Sequence, residues 1–345
     1  MLNWTLALVD PFESRQDRRR VISNLVALSL PAAVIGAVPK KASAQIRLAP
    51  MQDKVTVTGQ TPIVTLQTWI DLYGRPTADV LLNGQGPYKF VVDTGSNTSV
   101  LSTRVARSLD LLPLPDKIVH GVTGTVVAKF GRIARIETGR SVSINLAVAI
   151  LDAPAFEALD GILGMDMFKD RRIRFNFTRK TVEFDPTGRR PQRLPVRVGV
   201  KLRQGLLIEA EGRVGGVRAR CVLDTGCDTT IINTALLNAI RSPAVMRRRN
   251  AVPPQIIGIT NQELNGVWVN LPEIDLIGLR IRRLTAVSAD PPVFSLWGLT
   301  ETPAMLVGMD ILSQVETLII DYGRREVELR MVASLVGGEV GIYRG

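Results

Sequence analysis

Histidine and cysteine are nearly missing from this 345-residue sequence, which has one of the former, His120, and two of the latter, Cys221 and Cys227. No cluster therefore offers the spaced Cys and His ligands of a zinc site. A nucleophile–histidine pair would have to rely on His120, and no Gly-x-Ser-x-Gly elbow accompanies it. Phosphate-cradling glycine loops are absent as well. No metal or organic cofactor is implied. Aromatics are scarce at 5%, so cores must be built mainly from Val, Ile, Leu and Ala, which the 46% hydrophobic content allows. Lys and Arg number 43 against 32 Asp and Glu, a net charge of +11. Apart from Arg18-Arg19-Arg20 and Arg247-Arg248-Arg249 this surplus is diffuse, and no aromatic-rich binding motif accompanies it. It reads as solvated surface charge, with no nucleic-acid partner expected. Carboxylates remain as the natural candidates for catalysis.

The N-terminus reads as an address. Arg18-Arg19-Arg20 precedes an apolar run from Val21 to Val38, followed by Ala42-Ser43-Ala44, an Ala-x-Ala cleavage signal. The stretch Asp17 to Ile22 resembles a twin-arginine export signal. Residues 1–44 are thus expected to be a signal peptide, and the mature protein periplasmic or secreted. An uncleaved membrane anchor is the alternative, because the run approaches spanning length; Pro31 and the Ala-x-Ala site favour cleavage. Only in the anchored case would a membrane be a partner.

The rest of the chain repeats itself. Asn83-Gly84 is followed by Phe90-Val91-Val92-Asp93-Thr94-Gly95-Ser96, and Gly215-Gly216 by Cys221-Val222-Leu223-Asp224-Thr225-Gly226-Cys227. Gly84 and Gly215 each precede the Asp by nine residues. Each unit reads as a hairpin turn feeding a short buried strand that delivers an Asp at its end. Gly121-Val122-Thr123-Gly124 is then answered by Gly258-Ile259-Thr260-Asn261, and Asp160–Asp166 by Ala304–Asp310. Finally the hairpin pattern of residues 175–184 recurs at 320–329. Four ordered matches make this a duplication, with copies at 45–190 and 191–345. The boundary falls in the Pro-, Gly- and Arg-rich stretch from Asp185 to Pro195. Short strands separated by turns dominate, and Leu101–Leu109 and Asn233–Ile240 each predict one short helix after the Asp.

Two Asp-Thr-Gly signatures, each behind three apolar residues, resemble the aspartic peptidases. The short lobes resemble retropepsin-type domains more than the larger lobes of pepsins, and Leu82 to Gly95 resembles bacterial retropepsin-like aspartyl proteases. Ile162-Leu163-Gly164 and Leu306-Val307-Gly308 match that family's second signature, whose strands cross behind the catalytic loop. The resemblance covers roughly residues 60–335. It implies an all-β bilobal fold: two β lobes with short helices, related by a pseudo-two-fold axis and meeting at a cleft. The implied activity is endopeptidase cleavage of a peptide or protein substrate by one chain acting as an intramolecular pseudo-dimer. Two rivals stay open, a catalytically inactive peptide-binding or regulatory protein and an oligomer with lobes exchanged between molecules.

The residue types suit that chemistry in their own right. Two carboxylates pressed together cannot both ionise cheaply, so Asp93 and Asp224 are expected to share one proton. The ionised member acts as base towards water while the protonated member polarises the scissile carbonyl. Gly95 and Gly226 allow close backbone approach, and the resemblance implies that the hydroxyls of Thr94 and Thr225 tie the two loops together. Gly121, Val122, Thr123 and Gly124, and Gly258, Ile259, Thr260 and Asn261, stand where retropepsin-like domains carry flaps; ordinary surface turns are the plainer reading. His120 reads as a structural or surface residue rather than a catalyst, and the two cysteines as small buried side chains rather than a disulfide. If the family geometry holds, Ser96 and Cys227 reach their neighbouring carboxylates. The better-donating serine would then make Asp93 the better-stabilised anion.

Overall fold

The computed structural model describes residues 74–331 except 140, 154–155, 157, 170, 187–193, 195, 241–245 and 248–251. It also describes 64–67, 69–71 and the short strands Leu2–Asn3, Leu8–Val9 and Val340–Gly341. The apolar run at 21–38, the proposed cleavage site and the boundary at 190/191 lie outside the described residues.

The chain is an all-β bilobal structure with a few short helices, and its two halves share one plan. In the first, strand Gln85–Val92 lies between antiparallel Pro76–Leu82 and parallel Gly161–Leu163. In the second, strand Val217–Leu223 lies between antiparallel Leu207–Val214 and parallel Ala304–Val307. Such central strands are covered on both faces, which is why Phe90-Val91-Val92 and Cys221-Val222-Leu223 are apolar throughout rather than alternating. Phe90 and Val92 enter one core cluster and Val91 another. The first-lobe sheet curls until Gly124–Thr138 pairs with Leu81 and Leu82 of the opening strand.

Both hairpins that lead to an Asp-Thr-Gly turn on two residues with positive φ, Asn83 and Gly84 at 50° and 80°, and Gly215 and Gly216 at 55° and 85°. Such turns match the right-handed twist of the strands they join. The structural counterpart of Gly84 is therefore Gly216, one residue later than equal spacing to the Asp suggests. The first hairpin absorbs its extra residue in a bulge between the pairs Val80–Tyr88 and Leu82–Gln85.

The predicted helices are present and shorter, as α1 (Thr103–Ser108) and α2 (Thr234–Ala239). Each starts where a side chain caps the first turn: Ser102 Oγ accepts from the Val105 amide, and Asn233 Oδ1 from the Leu236 amide. Leu101, placed in the helix by sequence, belongs to strand Val100–Ser102. Two further short helices, α3 (Pro292–Leu296) and α4 (Met309–Leu312), occur in the second lobe.

A six-stranded sheet joins the halves. Its order is Val196–Gly199, Glu326–Arg330, Thr317–Asp321, Arg171–Asn176, Thr181–Pro186 and Val64–Gln67. Three strands come from each half, and the pseudo-two-fold axis passes between Arg171–Asn176 and Thr317–Asp321, which pair antiparallel. Alternate residues Ile173, Phe175, Val182 and Phe184, with Leu318, Ile320, Val327 and Leu329, pack into a core cluster that both lobes share.

Candidate active site

Each Asp leaves its strand where the crossing strand still holds it: the Asp93 amide donates to the Leu163 carbonyl and the Asp224 amide to the Val307 carbonyl, both at 3.0 Å. The chain then turns sharply, and Oδ1 of each carboxyl accepts the amide two residues on, Gly95 for Asp93 and Gly226 for Asp224, at 2.8 Å. The threonines between them point across to the other lobe. Thr94 Oγ1 donates to the Leu223 carbonyl at 2.9 Å and Thr225 Oγ1 to the Val92 carbonyl at 2.7 Å. The amides of Thr94 and Thr225 donate to each other's hydroxyls at 3.1 and 3.0 Å. Four buried hydrogen bonds thus lock one loop to the other.

This lock brings the carboxyls together. A Cβ added to Gly95 would lie 2.4 Å from Cγ of Asp224, so the second lobe's carboxyl rests on the first lobe's glycine. A side chain there would prise the loops apart. Both aspartates are inaccessible, at 0% and 1%. Burial pushes the Asp224 carboxyl up, to about 6. A hydrogen bond with Asp93, the Gly226 amide, the charge of Arg75 and the Gly95 amide work in the opposite direction. The pair titrates as a unit.

The Ser96 and Cys227 side chains each donate within their own turn. Ser96 Oγ donates its proton to the Thr98 carbonyl at 2.6 Å, and Cys227 Sγ donates to the Thr229 carbonyl at 3.0 Å. The loop turns back beneath the dyad, so these side chains close their own turns. Cys227 belongs to one apolar cluster and Cys221 to another, on opposite sides of the sheet, and both are free thiols.

A supporting pair escaped the reading of the sequence. Asp166 accepts the amide and hydroxyl of Ser99 at 2.8 and 2.7 Å, and Asp310 accepts those of Thr230 at 2.9 and 2.7 Å. Both bind the crossing strand's end to the Asp-Thr-Gly loop. The signal was present: Ser99 and Thr230 each lie six residues after the Asp of that loop, and Asp166 and Asp310 two after the second-signature Gly. Desolvation lifts Asp166 to about 6.

The candidate flap residues are hairpin tips. Val122 and Thr123 turn between strands Leu112–Gly121 and Gly124–Thr138, and Ile259 and Thr260 between Gln255–Ile257 and Glu263–Asn265. The tips touch, with Thr123 Oγ1 and Thr260 Oγ1 3.1 Å apart. Val122 packs into a cluster of the second lobe, with Leu207, Val222 and Ile231, while Ile259 packs with Val91, Val100 and Ile162 of the first. Asn261 Nδ2 also donates to the Asp152 carbonyl at 2.7 Å. Gly121, Gly124 and Gly258 leave room for the opposing tip, since a Cβ on any of them would come within 2.7 Å of Thr260, Gln262 or Thr123. These turns are therefore interlocked across the lobes rather than free at the surface. Leu2–Asn3 runs parallel to the second flap strand, and Leu8–Val9 antiparallel to the first. His120 sits in the first flap strand opposite Thr125. A separate pocket of about 670 Å³, lined by Arg213, Arg218, Asp275 and Arg280, touches no residue of the dyad or flaps.

The sequence profile of the aspartyl protease family matches residues 78–167 and 210–311, one stretch in each lobe and more than half of the chain. The chain belongs to the aspartyl protease family. Within it this protein is of the retropepsin-like kind, with two matched regions in tandem. Each match spans an Asp-Thr-Gly loop, a flap and a crossing strand. No curated protein matches the chain. No group of His, Cys, Asp and Glu among the described residues has the arrangement of a metal site.

Proposed function

We propose that this family member is an active aspartic endopeptidase in which Asp93 and Asp224 share a proton and activate water. The observation that carries this reading is the seating of the Asp224 carboxyl on Gly95, beside Asp93, behind the paired threonines. A water held between the carboxyls gives a proton to the ionised one as its oxygen attacks the scissile carbonyl carbon. The protonated carboxyl donates to the carbonyl oxygen, yielding a tetrahedral diol. As the diol collapses, the carboxyl that took the water's proton gives it to the amide nitrogen, a diol hydroxyl returns its proton to the other carboxylate, the C–N bond breaks, and the dyad regains its starting protonation. The flaps would open to admit an extended peptide and close to exclude water. Pairing of Leu2–Asn3 and Leu8–Val9 with the flap strands supports main-chain recognition, since these edges accept an added strand.

We propose further that one chain is the working unit, because both halves contribute to the six-stranded sheet. The protein would act outside the cytoplasm after losing residues 1–44. N-terminal sequencing of material from cells should then begin at or near Gln45; Met1 on membrane-bound protein would favour an anchor.

The deciding experiment offers unstructured polypeptides to the purified protein from pH 3 to 8, with and without pepstatin. Cleavage should be blocked by pepstatin and untouched by chelators. Asp93→Asn and Asp224→Asn should each lose at least a thousandfold in kcat. Near-normal turnover by either variant sinks the shared dyad.

A further inference from the structure

The residue across the sheet from each catalytic Asp differs between the lobes. Extending the register Ala78–Phe90 and Thr77–Val91 by two positions brings Arg75 opposite Asp93. The same extension of Glu209–Val222 brings Leu207 opposite Asp224. Directly opposed residues of an antiparallel pair project to the same face. Leu207 is a buried apolar side chain, the ordinary occupant of such a place. Arg75 sets a guanidinium there, and it is only 1% exposed.

A charge so deeply buried needs a partner, and Asp71 supplies it. Arg75 Nε donates to Asp71 Oδ2 at 2.7 Å, Nη2 lies 2.5 Å from the same oxygen, and the Arg75 amide donates to Oδ1 at 2.9 Å. The Asp71 amide donates to the Arg75 carbonyl at 3.1 Å, and Gly74, at φ 79°, closes the turn. The guanidinium is thereby fixed at the start of the strand that flanks the first catalytic loop. Its field reaches across the interface, since Arg75 is one of the influences that oppose the rise of the Asp224 carboxyl on burial.

We propose that Arg75 is a positioning residue for the dyad: anchored by Asp71, it stabilises the shared negative charge and sets the working range of the site towards acid. This rests on the dyad reading above. A cation nearby favours the more ionised form at each step, so both limbs of a bell-shaped pH profile lie lower with Arg75 than without it. Among the described residues, the neighbouring Cys227, Tyr322, Asp71, Asp228 and Asp310 do not supply this effect. Burial pushes the Cys227 thiol and the Tyr322 hydroxyl upward, so both stay neutral across the acid range. Asp71, Asp228 and Asp310 are carboxylates, whose charge would raise the dyad rather than lower it.

The test is the pH profile of kcat/KM for the full chain and its variants. Arg75→Met should move both limbs upward by about one pH unit, a nearby unit charge being worth about 1–3. Arg75→Lys, which keeps the charge, should stay near the parent profile. Arg75→Gln, which removes the charge but keeps a hydrogen-bonding head, should move the limbs upward as well, and it keeps the test open if Arg75→Met does not fold. Unshifted limbs in folded Arg75→Met or Arg75→Gln overturn the proposal and leave Arg75 a structural residue. NMR titration of 13C-labelled aspartate carboxyls reads the same shift without turnover. A chain that cleaves nothing would thus refute the enzyme reading while still deciding this one.

Discussion

Thr94 and Thr225 exchange hydrogen bonds across the interface, the amide of each donating to the hydroxyl of the other, while both hydroxyls donate to carbonyls of the opposite strand. Each threonine is thus both donor and acceptor for the other lobe. Thr94→Val keeps the shape but leaves the Thr225 amide and the Leu223 carbonyl buried without that partner. A buried group so stranded costs about 1–3 kcal/mol. Chemical denaturation should show a loss of that order for either valine variant, with a drop in kcat. The two valines remove different pairs of bonds, but each loosens the seam that the other pair spans, so the double variant should lose less than the sum of the singles. Strict additivity would contradict a mutual lock.

Burial raises the Asp224 carboxyl above its value in the unfolded chain. Between about pH 4 and 6 the folded protein therefore holds a proton that the unfolded chain has released, and stability falls as pH rises through that window. The cost at neutral pH is on the order of 2–3 kcal/mol. Asp224→Asn, neutral throughout, should melt higher than the parent at pH 7 and show little advantage at pH 3.5. A Tm difference independent of pH would refute this.

The flap tips are latched by Val122 and Ile259, each buried in the other lobe. Val122→Asp would place an unpaired charge in the cluster around Val222 and Ile231, and the flap should swing out instead. Limited proteolysis should then cut within residues 118–127, and kcat/KM should fall at least tenfold with little change in Tm. Resistance to cutting together with a large loss of Tm would instead make these tips part of the global core.

Residues Leu2–Asn3 and Leu8–Val9 occupy the flap edges that a substrate strand would use. A chain beginning at Gln45 should therefore show a lower KM than the full chain with similar kcat. Equal KM values would mean that these strands do not compete with substrate.

Cys227 donates to the Thr229 carbonyl, so Cys227→Ser should leave the acidic limb of the pH profile where it is. A downward shift would indicate that the new hydroxyl turns to Asp224.

The sequence by itself determined the duplication, the two Asp-Thr-Gly loops, the crossing strands and the paired Gly-containing turns, because each is a local pattern that must appear twice. Apolar runs ending in Asp-Thr-Gly mark strands buried on both faces, and Gly-containing turns mark hairpin tips. Tertiary structure decided everything that depends on one lobe meeting the other. The grip of Thr94 on Leu223 links residues 129 positions apart, and Val122 likewise joins the distant cluster that holds Val222. It also decided where small polar side chains point: Ser96 and Cys227 follow their triplets alike, and a tight turn sends the proton of each to a backbone carbonyl. Arg75 is a surface-type residue on paper. Only the register of the sheet buries it opposite Asp93, where burial turns an ordinary charge into a strong one.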